Sequence, residues 1–137
     1  MIKRVTHNQD ETRLFARELI SQIPVGSVIL LTGDLGAGKT TFVQGVASAL
    51  GIKEKVASPT FNIMKLYLGE VSLIHIDVYR LENMDHNIGL DEYIGYEKGY
   101  TFIEWPNYIP ELLPEKCIEV NITNLGEDNR EIIVKGI

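Results

Sequence analysis

The pattern of apolar and polar positions divides the chain into short segments of strand and helix character. The run Ser27–Thr32 is apolar and rich in branched side chains, which is typical of a strand buried on both faces of a parallel sheet. After a glycine-rich interval, apolar residues recur at helical spacing up to Gly51, where a glycine favours the end of a helix. This apolar stripe consists of Phe42, Val43, Val46, Ala47 and Leu50. The pattern therefore predicts a strand, a loop and a helix in succession.

The same criteria predict an earlier helix and a set of further strands. Asn8 can cap a helix that ends before Pro24. The apolar stripe of this helix consists of Leu14, Phe15, Leu19 and Ile23. Residues 81–99 are polar and predict short helical turns and loop, while Ile109–Leu113 has helical character. Strands are predicted at Ile2–Thr6, Phe61–Tyr67, Val71–Ile76, Tyr100–Trp105, Ile118–Thr123 and Glu131–Lys135.

The glycine-rich interval reads GDLGAGKT, from Gly33 to Thr40, and matches the phosphate-loop pattern G-x-x-x-x-G-K-T. Its glycines remove side chains that would keep backbone N–H groups from phosphate oxygens, and the following helix directs its positive end there. Such a loop places Lys39 at the outer phosphates and Thr40 at a bound Mg²⁺. A glycine-rich turn with an exposed lysine is the alternative, but the flanking strand and helix favour the phosphate loop. The predicted nucleotide contacts are Gly33, Asp34, Leu35, Gly36, Ala37, Gly38, Lys39, Thr40 and Thr41.

A phosphate loop between a parallel strand and a helix predicts an α/β fold. We expect a three-layer sandwich like that of the P-loop NTPases, with a mixed, partly parallel central sheet. In such sheets, ligands bind at the carboxyl ends of the strands. The other candidate site residues are therefore polar residues that end predicted strands.

Asp77 ends an apolar strand-like run in LIHIDVYR, with Tyr79 and Arg80 directly behind it. An acidic residue at such a strand end holds Mg²⁺ or its waters in phosphate-loop enzymes, and this interpretation is favoured over an aspartate that only caps a turn. His75 lies two residues earlier and therefore on the same strand face. It is either a residue that orients water or a hydrogen-bonded core histidine.

Glu104 ends a second apolar strand, in TFIEWPN, where burial of its charge is unfavourable without a cation or a hydrogen-bond donor. Metal binding or water activation would provide that partner. Asp77 and Glu104 are therefore the predicted catalytic carboxylates, and both are predicted to bind the metal together with Thr40. Trp105, beside Glu104, is interpreted mainly as core packing.

A further stretch, Ser58-Pro59-Thr60-Phe61, begins about 20 residues beyond the lysine of the phosphate loop. Thr60 is a candidate for contact with the γ-phosphate or Mg²⁺, as in a switch loop, and Pro59 holds Ser58 extended. An ordinary turn that starts a strand is the alternative, and the spacing does not decide between the two.

The length and composition of the chain predict one domain, residues 1–137. The charge and cysteine content also exclude some classes of partner and ligand. The net charge is −6 and the basic residues are dispersed, which argues against a stand-alone nucleic-acid binder, so any contact with RNA is expected through a partner. No apolar run is long enough to span a membrane, and a cytoplasmic location is expected. Cys117 is the single cysteine and is interpreted as a buried strand thiol; with three scattered histidines it gives no zinc-ligand spacing.

Four motifs, GDLGAGKT, SPTF, HIDVYR and EWP, occur in this order, and as a set they resemble the TsaE (YjeE) family of bacterial ATPases in tRNA threonylcarbamoyladenosine synthesis. The resemblance extends over nearly the whole chain. It implies a P-loop ATPase that binds ATP and Mg²⁺ through Lys39 and Thr40. Asp77 matches the family's Walker B aspartate, and Glu104 and Trp105 match its Glu-Trp pair.

The resemblance also implies partners. TsaE proteins support TsaD and TsaB, which transfer a threonylcarbamoyl group made by TsaC to the adenosine next to the anticodon. It further implies that Thr60 lies in a switch-like loop and that ATP hydrolysis resets the TsaD–TsaB complex between turnovers.

Three other functions share parts of this pattern. A small-molecule P-loop kinase needs several arginines for the transferred phosphoryl group, whereas after Lys39 the chain has only Arg80 and Arg130. A GTPase is disfavoured because no N-K-x-D stretch for guanine occurs. A nucleotide-sensing adaptor without turnover is left open by the sequence.

Overall fold

The computed structural model describes residues 1–34, 36–57, 63–86 and 88–137. Leu35, Ser58, Thr60 and the first two residues of the predicted strand Phe61–Tyr67 lie outside this described part. Within it, a seven-stranded sheet has the order β1-β7-β6-β2-β5-β4-β3. The strands are β1 (Ile2–Thr6), β2 (Val28–Thr32), β3 (Met64–Tyr67), β4 (Ser72–Asp77), β5 (Gly99–Glu104), β6 (Ile118–Gly126) and β7 (Asn129–Lys135). The helices are α1 (Gln9–Ile20) and α2 (Lys39–Ala49).

The centre of the sheet is parallel and its margins are antiparallel. β2 pairs in parallel with β5 and with β6, and β4 pairs in parallel with β5. β3, β7 and β1 extend the sheet through antiparallel pairs. This arrangement confirms the predicted α/β fold with a mixed, partly parallel sheet. Because β2, β4 and β5 run in the same direction, their carboxyl ends, Thr32, Asp77 and Glu104, meet at one edge of the sheet.

Both α-helices cover one face of the sheet. A chain of ring contacts crosses this layer, from Phe15 of α1 to Phe42 of α2 and on to Phe102 of β5, each with a centroid distance of 6.4 Å. The two helices approach closely at Gly45 of α2, where a Cβ would lie 2.3 Å from the carbonyl oxygen of Arg13 in α1. This contact sets the position of α2, and therefore of its first residue, against the sheet.

The opposite face of the sheet is covered by loops and 3₁₀ turns in the described part of the chain. Its core contains Val28 and Leu30 of β2, which alternate with the β2 residues that face the helices. Residues of the covering segments, among them Leu81, Leu90 and Ile109, are buried against it. The turns predicted within residues 81–99 are confirmed by a 3₁₀ turn at Leu90–Glu92.

The first helix starts as predicted, because the Glu11 N–H donates to Oδ1 of the capping residue Asn8 at 2.8 Å. It ends at Ile20 and not beside Pro24. Leu14 is 55% exposed, so its assignment to the apolar stripe is wrong. The buried face of the helix runs through Phe15, Ala16, Leu19 and Ile20, and Leu14 lies off this face.

Two other expectations change. The interpretation of Cys117 as a buried strand thiol is wrong, because β6 starts one residue later and Cys117 is partly exposed. Its thiol donates a hydrogen bond to the Pro114 carbonyl oxygen at 3.1 Å. The helical character predicted at Ile109–Leu113 is a 3₁₀ turn, Pro110–Leu112. Neither α-helix of the described part has the length and hydropathy that a membrane crossing requires.

Candidate functional site

The glycine-rich loop leaves the carboxyl end of β2 at Gly33, in close contact with β6. Gly33 has a φ of +147°, and a Cβ there would lie 2.5 Å from the Ile122 carbonyl oxygen. Further along, the Ala37 N–H donates to the Asp34 carbonyl oxygen at 3.0 Å. Any larger residue at position 33 would push the loop away from β6, so packing and backbone conformation both require glycine.

The second helix begins directly after the loop, with Gly38 as its N-cap in a left-handed conformation, φ +106°. No described side chain caps this end, and the first turn contains no acidic residue. The first backbone N–H groups and the positive end of the helix dipole are therefore left uncompensated by the described residues. An end of this kind suits a bound anion.

Lys39, the first residue of α2, is only 5% exposed. Its Nζ donates a hydrogen bond to the Gly33 carbonyl oxygen at 2.8 Å. It also lies 3.7 Å from Oε1 of Glu104 and 4.2 Å from the centroid of the Trp105 ring. A carbonyl oxygen, a carboxylate and an aromatic face all stabilise a buried ammonium group. Together they hold the Lys39 ammonium where the loop, α2 and the end of β5 meet.

The two predicted carboxylates are adjacent, because Asp77 and Glu104 are register partners at the ends of β4 and β5. Glu104 is 4% exposed. Its Oε1 faces Lys39, and its Oε2 is hydrogen-bonded to Nε2 of His75 at 2.5 Å. The partners that burial of Glu104 requires are therefore within the protein. His75 is fully buried and orients the Glu104 carboxylate.

Burial raises the pKa of Asp77 above its ordinary value. The Tyr79 N–H, which donates to Oδ1 at 3.0 Å, acts in the opposite direction, while the neighbouring charge of Glu104 raises the pKa further. The ionised form of Asp77 is therefore less favourable than in water. A cation bound beside it would reverse this balance.

We expect Asp77→Asn to raise the melting temperature of the metal-free protein at neutral pH. A carboxyl group with a raised folded-state pKa adds stability that is fully present below its unfolded-state pKa and is lost as the pH rises through the folded-state pKa. Asparagine cannot ionise, so the variant does not lose stability as the pH rises. Its side chain still offers an Oδ1 acceptor to the Tyr79 N–H. Thermal melts in chelator from about pH 4 to about pH 7 should show the advantage of the variant shrinking as the pH falls. A variant that is less stable than the wild type at neutral pH would contradict this.

An aromatic cluster lies on one side of the lysine, and its Trp105 ring faces the ammonium group. Trp105 has a left-handed backbone with φ +61°, which is uncommon for a large side chain, and it leads into the 3₁₀ turn Pro106–Tyr108. Its ring lies 4.9 Å from that of Tyr79 and stacks on that of Tyr108 at 5.9 Å. The interpretation of Trp105 as mainly core packing is therefore incomplete, because its ring also faces the lysine. Arg80 follows Tyr79 in the 3₁₀ turn Tyr79–Leu81, and its side chain is exposed.

The glycine-rich loop, the start of α2 and the ends of β4 and β5 border a cavity of about 350 Å³ at the carboxyl edge of the sheet. This volume is within the range of small-molecule sites. Of the predicted residues, the cavity is lined by Gly36, Gly38, Lys39, Thr40, Thr41, Asp77 and Glu104. The fold therefore brings the loop, the ammonium group and both carboxylates to one cavity, as the rule for strand ends predicts.

Five further residues line the same cavity without being predicted site residues: Asn8, Gln9, Thr12, Asp128 and Arg130. Three of them belong to the start of α1, and two to the turn and first residues of the β6–β7 hairpin. Asn8 was predicted, but only as a helix cap. Polar residues at a helix start or in a hairpin are common everywhere on protein surfaces, so the sequence gives no signal that sets these five apart.

Comparisons with known proteins agree with this architecture. The chain matches the family model "Threonylcarbamoyl adenosine biosynthesis protein TsaE" over residues 6–132. It is 44% identical over 132 residues to the tRNA threonylcarbamoyladenosine biosynthesis protein TsaE of Bacillus subtilis (strain 168), covering 96% of this chain and 83% of that protein. Identity to the TsaE protein of Treponema pallidum (strain Nichols) is 43% over 111 residues, covering 80% and 82% of the two chains.

A solved structure supports the same assignment. The crystal structure of Bacillus subtilis YdiB aligns with a TM-score of 0.82 and 38% identity, covering 99% of this chain and 86% of that one. The α/β P-loop-like fold expected from the sequence is therefore confirmed. Since the family model spans most of the sequence and two relatives exceed 40% identity, the chain belongs to the TsaE family of tRNA threonylcarbamoyladenosine biosynthesis proteins.

Proposed function

We propose that this protein binds ATP with Mg²⁺ in the cavity at the carboxyl edge of the sheet and hydrolyses it as an accessory step of tRNA N6-threonylcarbamoyladenosine formation. The observation that carries the proposal is the convergence of Lys39 and Glu104 at the glycine-rich loop, with Asp77 beside them. Family membership gives the biosynthetic context, and the arrangement of these side chains supports the proposed chemistry.

The loop and the start of α2 suit a chain of phosphates. The uncapped helix end offers backbone N–H groups, and Gly36 and Gly38 line the cavity without side chains. Lys39 would donate to the outer phosphates in place of the Gly33 carbonyl oxygen, which accepts from its Nζ at 2.8 Å. This exchange is favourable because a hydrogen bond from an ammonium to an anionic phosphate is stronger than one to a neutral carbonyl.

The oxygen donors of the cavity fit Mg²⁺. Thr40, Asp77 and Glu104 line it and carry the hydroxyl and carboxylate oxygens that this ion takes as ligands. The described residues contain no group of three or more His, Cys, Asp or Glu side chains suited to a metal. The ligand set would therefore be completed by phosphate oxygens and water, which is usual for Mg²⁺ in nucleotide sites. When bound, the ion would neutralise charge on the phosphates.

The surroundings of Glu104 support a role for it in hydrolysis. Its Oε2 is held by His75, and its Oε1 faces the ammonium group of Lys39, which would bind the terminal phosphate. A carboxylate beside that phosphate can orient a water molecule and take up its proton. Because His75 is buried and bonded to Glu104, it would keep the carboxylate in the orientation that this role needs.

ATP binding and hydrolysis at this site would change the conformation of the protein, and a partner protein would have to respond to that change. The net charge of −6 and the dispersed basic residues do not favour direct use of tRNA. Family resemblance indicates TsaD and TsaB as the partners. The segment with Ser58 and Thr60 is the candidate for a nucleotide-dependent contact with them, and this stays a prediction because the segment lies outside the described residues.

We expect the protein to bind TsaD–TsaB in a nucleotide-dependent manner and to bind bare tRNA only weakly at physiological salt. Pull-downs of TsaD–TsaB with ATP, with ADP and without nucleotide test the first part, and filter binding to tRNA tests the second. Capture that is indifferent to the nucleotide, or tight binding to bare tRNA, would contradict the proposal.

A further inference from the structure

Arg130, near the start of β7, bonds to the backbone of the glycine-rich loop. Its Nε donates to the Ala37 carbonyl oxygen at 2.9 Å, and its Nη2 lies 3.5 Å from the Gly36 carbonyl oxygen. The residues are more than 90 positions apart in the chain. Since arginine donors are charged, such hydrogen bonds are stronger than those between neutral groups.

The same guanidinium group is fixed to its own hairpin. Nη1 donates to Oδ1 of Asn124 at 3.0 Å. It also donates to the carbonyl oxygens of Glu127 at 3.0 Å and Asn129 at 2.9 Å. Arg130 therefore joins the β6–β7 hairpin to the loop through one rigid, planar group.

The hydrogen bond to Ala37 constrains the next peptide unit. In a trans peptide the carbonyl and the N–H point in opposite directions, so fixing the Ala37 carbonyl also fixes the direction of the Gly38 N–H. Gly38 lines the cavity and caps α2. With its carbonyl oxygens bound to Arg130, the loop is also prevented from turning partial negative charge toward a bound phosphate.

We propose that Arg130 is a positioning residue for nucleotide binding: it holds the Ala37–Gly38 peptide in the orientation in which the loop accepts phosphates. This inference rests on the proposed function. Nε and Nη1 of Arg130 are engaged by carbonyl and amide oxygens of the loop and hairpin. Arg130 therefore acts on the phosphates through the loop backbone and not by direct contact with the γ-phosphate.

The test compares Arg130→Gln and Arg130→Lys with the control Lys135→Gln. Lys135 is exposed at the other end of the same strand, so the control removes one positive charge without touching the loop. The dissociation constants of ATP and ADP are measured by calorimetry. Arg130→Gln should weaken both about tenfold, equivalent to about 1.4 kcal/mol, and should leave their ratio unchanged. Lysine should not restore binding, because it lacks the planar fork that reaches loop and hairpin together.

Two further measurements separate positioning from a loss of fold. Asn124→Ala keeps Arg130 but removes one of its anchors, so its effect on affinity should be smaller and should not add to that of Arg130→Gln. The amide NMR signal of Gly38 should shift in the Arg130 variants, while signals of β4 and β5 stay in place.

Three results would overturn the inference. These are unchanged affinity in Arg130→Gln, an equal loss in Lys135→Gln, and a much larger loss for ATP than for ADP, which would indicate direct contact with the γ-phosphate. A wild-type protein that binds neither nucleotide would overturn the proposed function itself, and with it this inference.

Discussion

Replacing Lys39 with alanine should abolish measurable ATP binding, with a loss of at least about 100-fold in affinity, or about 2.7 kcal/mol. The ammonium group of Lys39 is nearly buried where the loop, α2 and β5 meet. No neighbouring lysine or arginine of the described cavity lining can take its place, since the other cation there, Arg130, is bonded to the loop backbone.

The variant also tests the interpretation of the site in a second way. Without Lys39, Glu104 keeps its hydrogen bond to His75 but loses a buried cation, so we expect the variant to fold with a clearly lower melting temperature. Lys65→Ala is the matched control, because it removes the same charge from an exposed residue paired with Glu54. ATP affinity is measured by calorimetry. Wild-type affinity in Lys39→Ala would contradict the assignment of the nucleotide site.

Glu104→Gln should reduce ATP turnover by about 100-fold or more while ATP affinity in the absence of Mg²⁺ stays close to that of the wild type. Glutamine has the shape of glutamate and can accept the hydrogen bond from His75, so the local packing is preserved. It lacks the charge that would hold Mg²⁺ or accept a proton. Loss of turnover with retained binding is the pattern expected of a residue that acts in the chemical step.

This expectation is checked by steady-state hydrolysis with saturating TsaD and TsaB. Glu119→Gln is a suitable control, because Glu119 is an exposed carboxylate of β6. Wild-type turnover in Glu104→Gln would show that the carboxylate is not part of the chemistry. An equal loss in Glu119→Gln would show that the effect comes from net charge alone.

Local sequence patterns predicted the parts of the fold on which the site is built. The apolar run of β2 and the helical spacing of α2 are signals within one segment, so the loop between them was placed correctly. The adjacency of Asp77 and Glu104 follows from a general rule on the carboxyl ends of parallel strands. Both predictions depend on short stretches of chain and on a common topology.

Local sequence patterns do not predict contacts between segments that are distant in the chain. Arg130 reaches the loop because β7 pairs with β6 and β6 pairs with β2. This strand order cannot be predicted from local sequence patterns. The ring of Trp105 faces Lys39 because the backbone adopts a left-handed turn that no propensity predicts for tryptophan. Likewise, α1 ends at Ile20, although the predicted apolar stripe extended to Ile23.

Hydrolysis of ATP at this site can be measured in a single-turnover assay. Protein in excess over ATP labelled at the γ-phosphate is incubated with Mg²⁺, alone and with TsaD and TsaB, beside Glu104→Gln. We expect slow release of phosphate by the wild-type protein, faster release with the partners, and almost none by the variant. Bound ATP that stays intact in the wild-type protein with both partners present would contradict hydrolysis at this site and would indicate an adaptor that senses nucleotide without turnover.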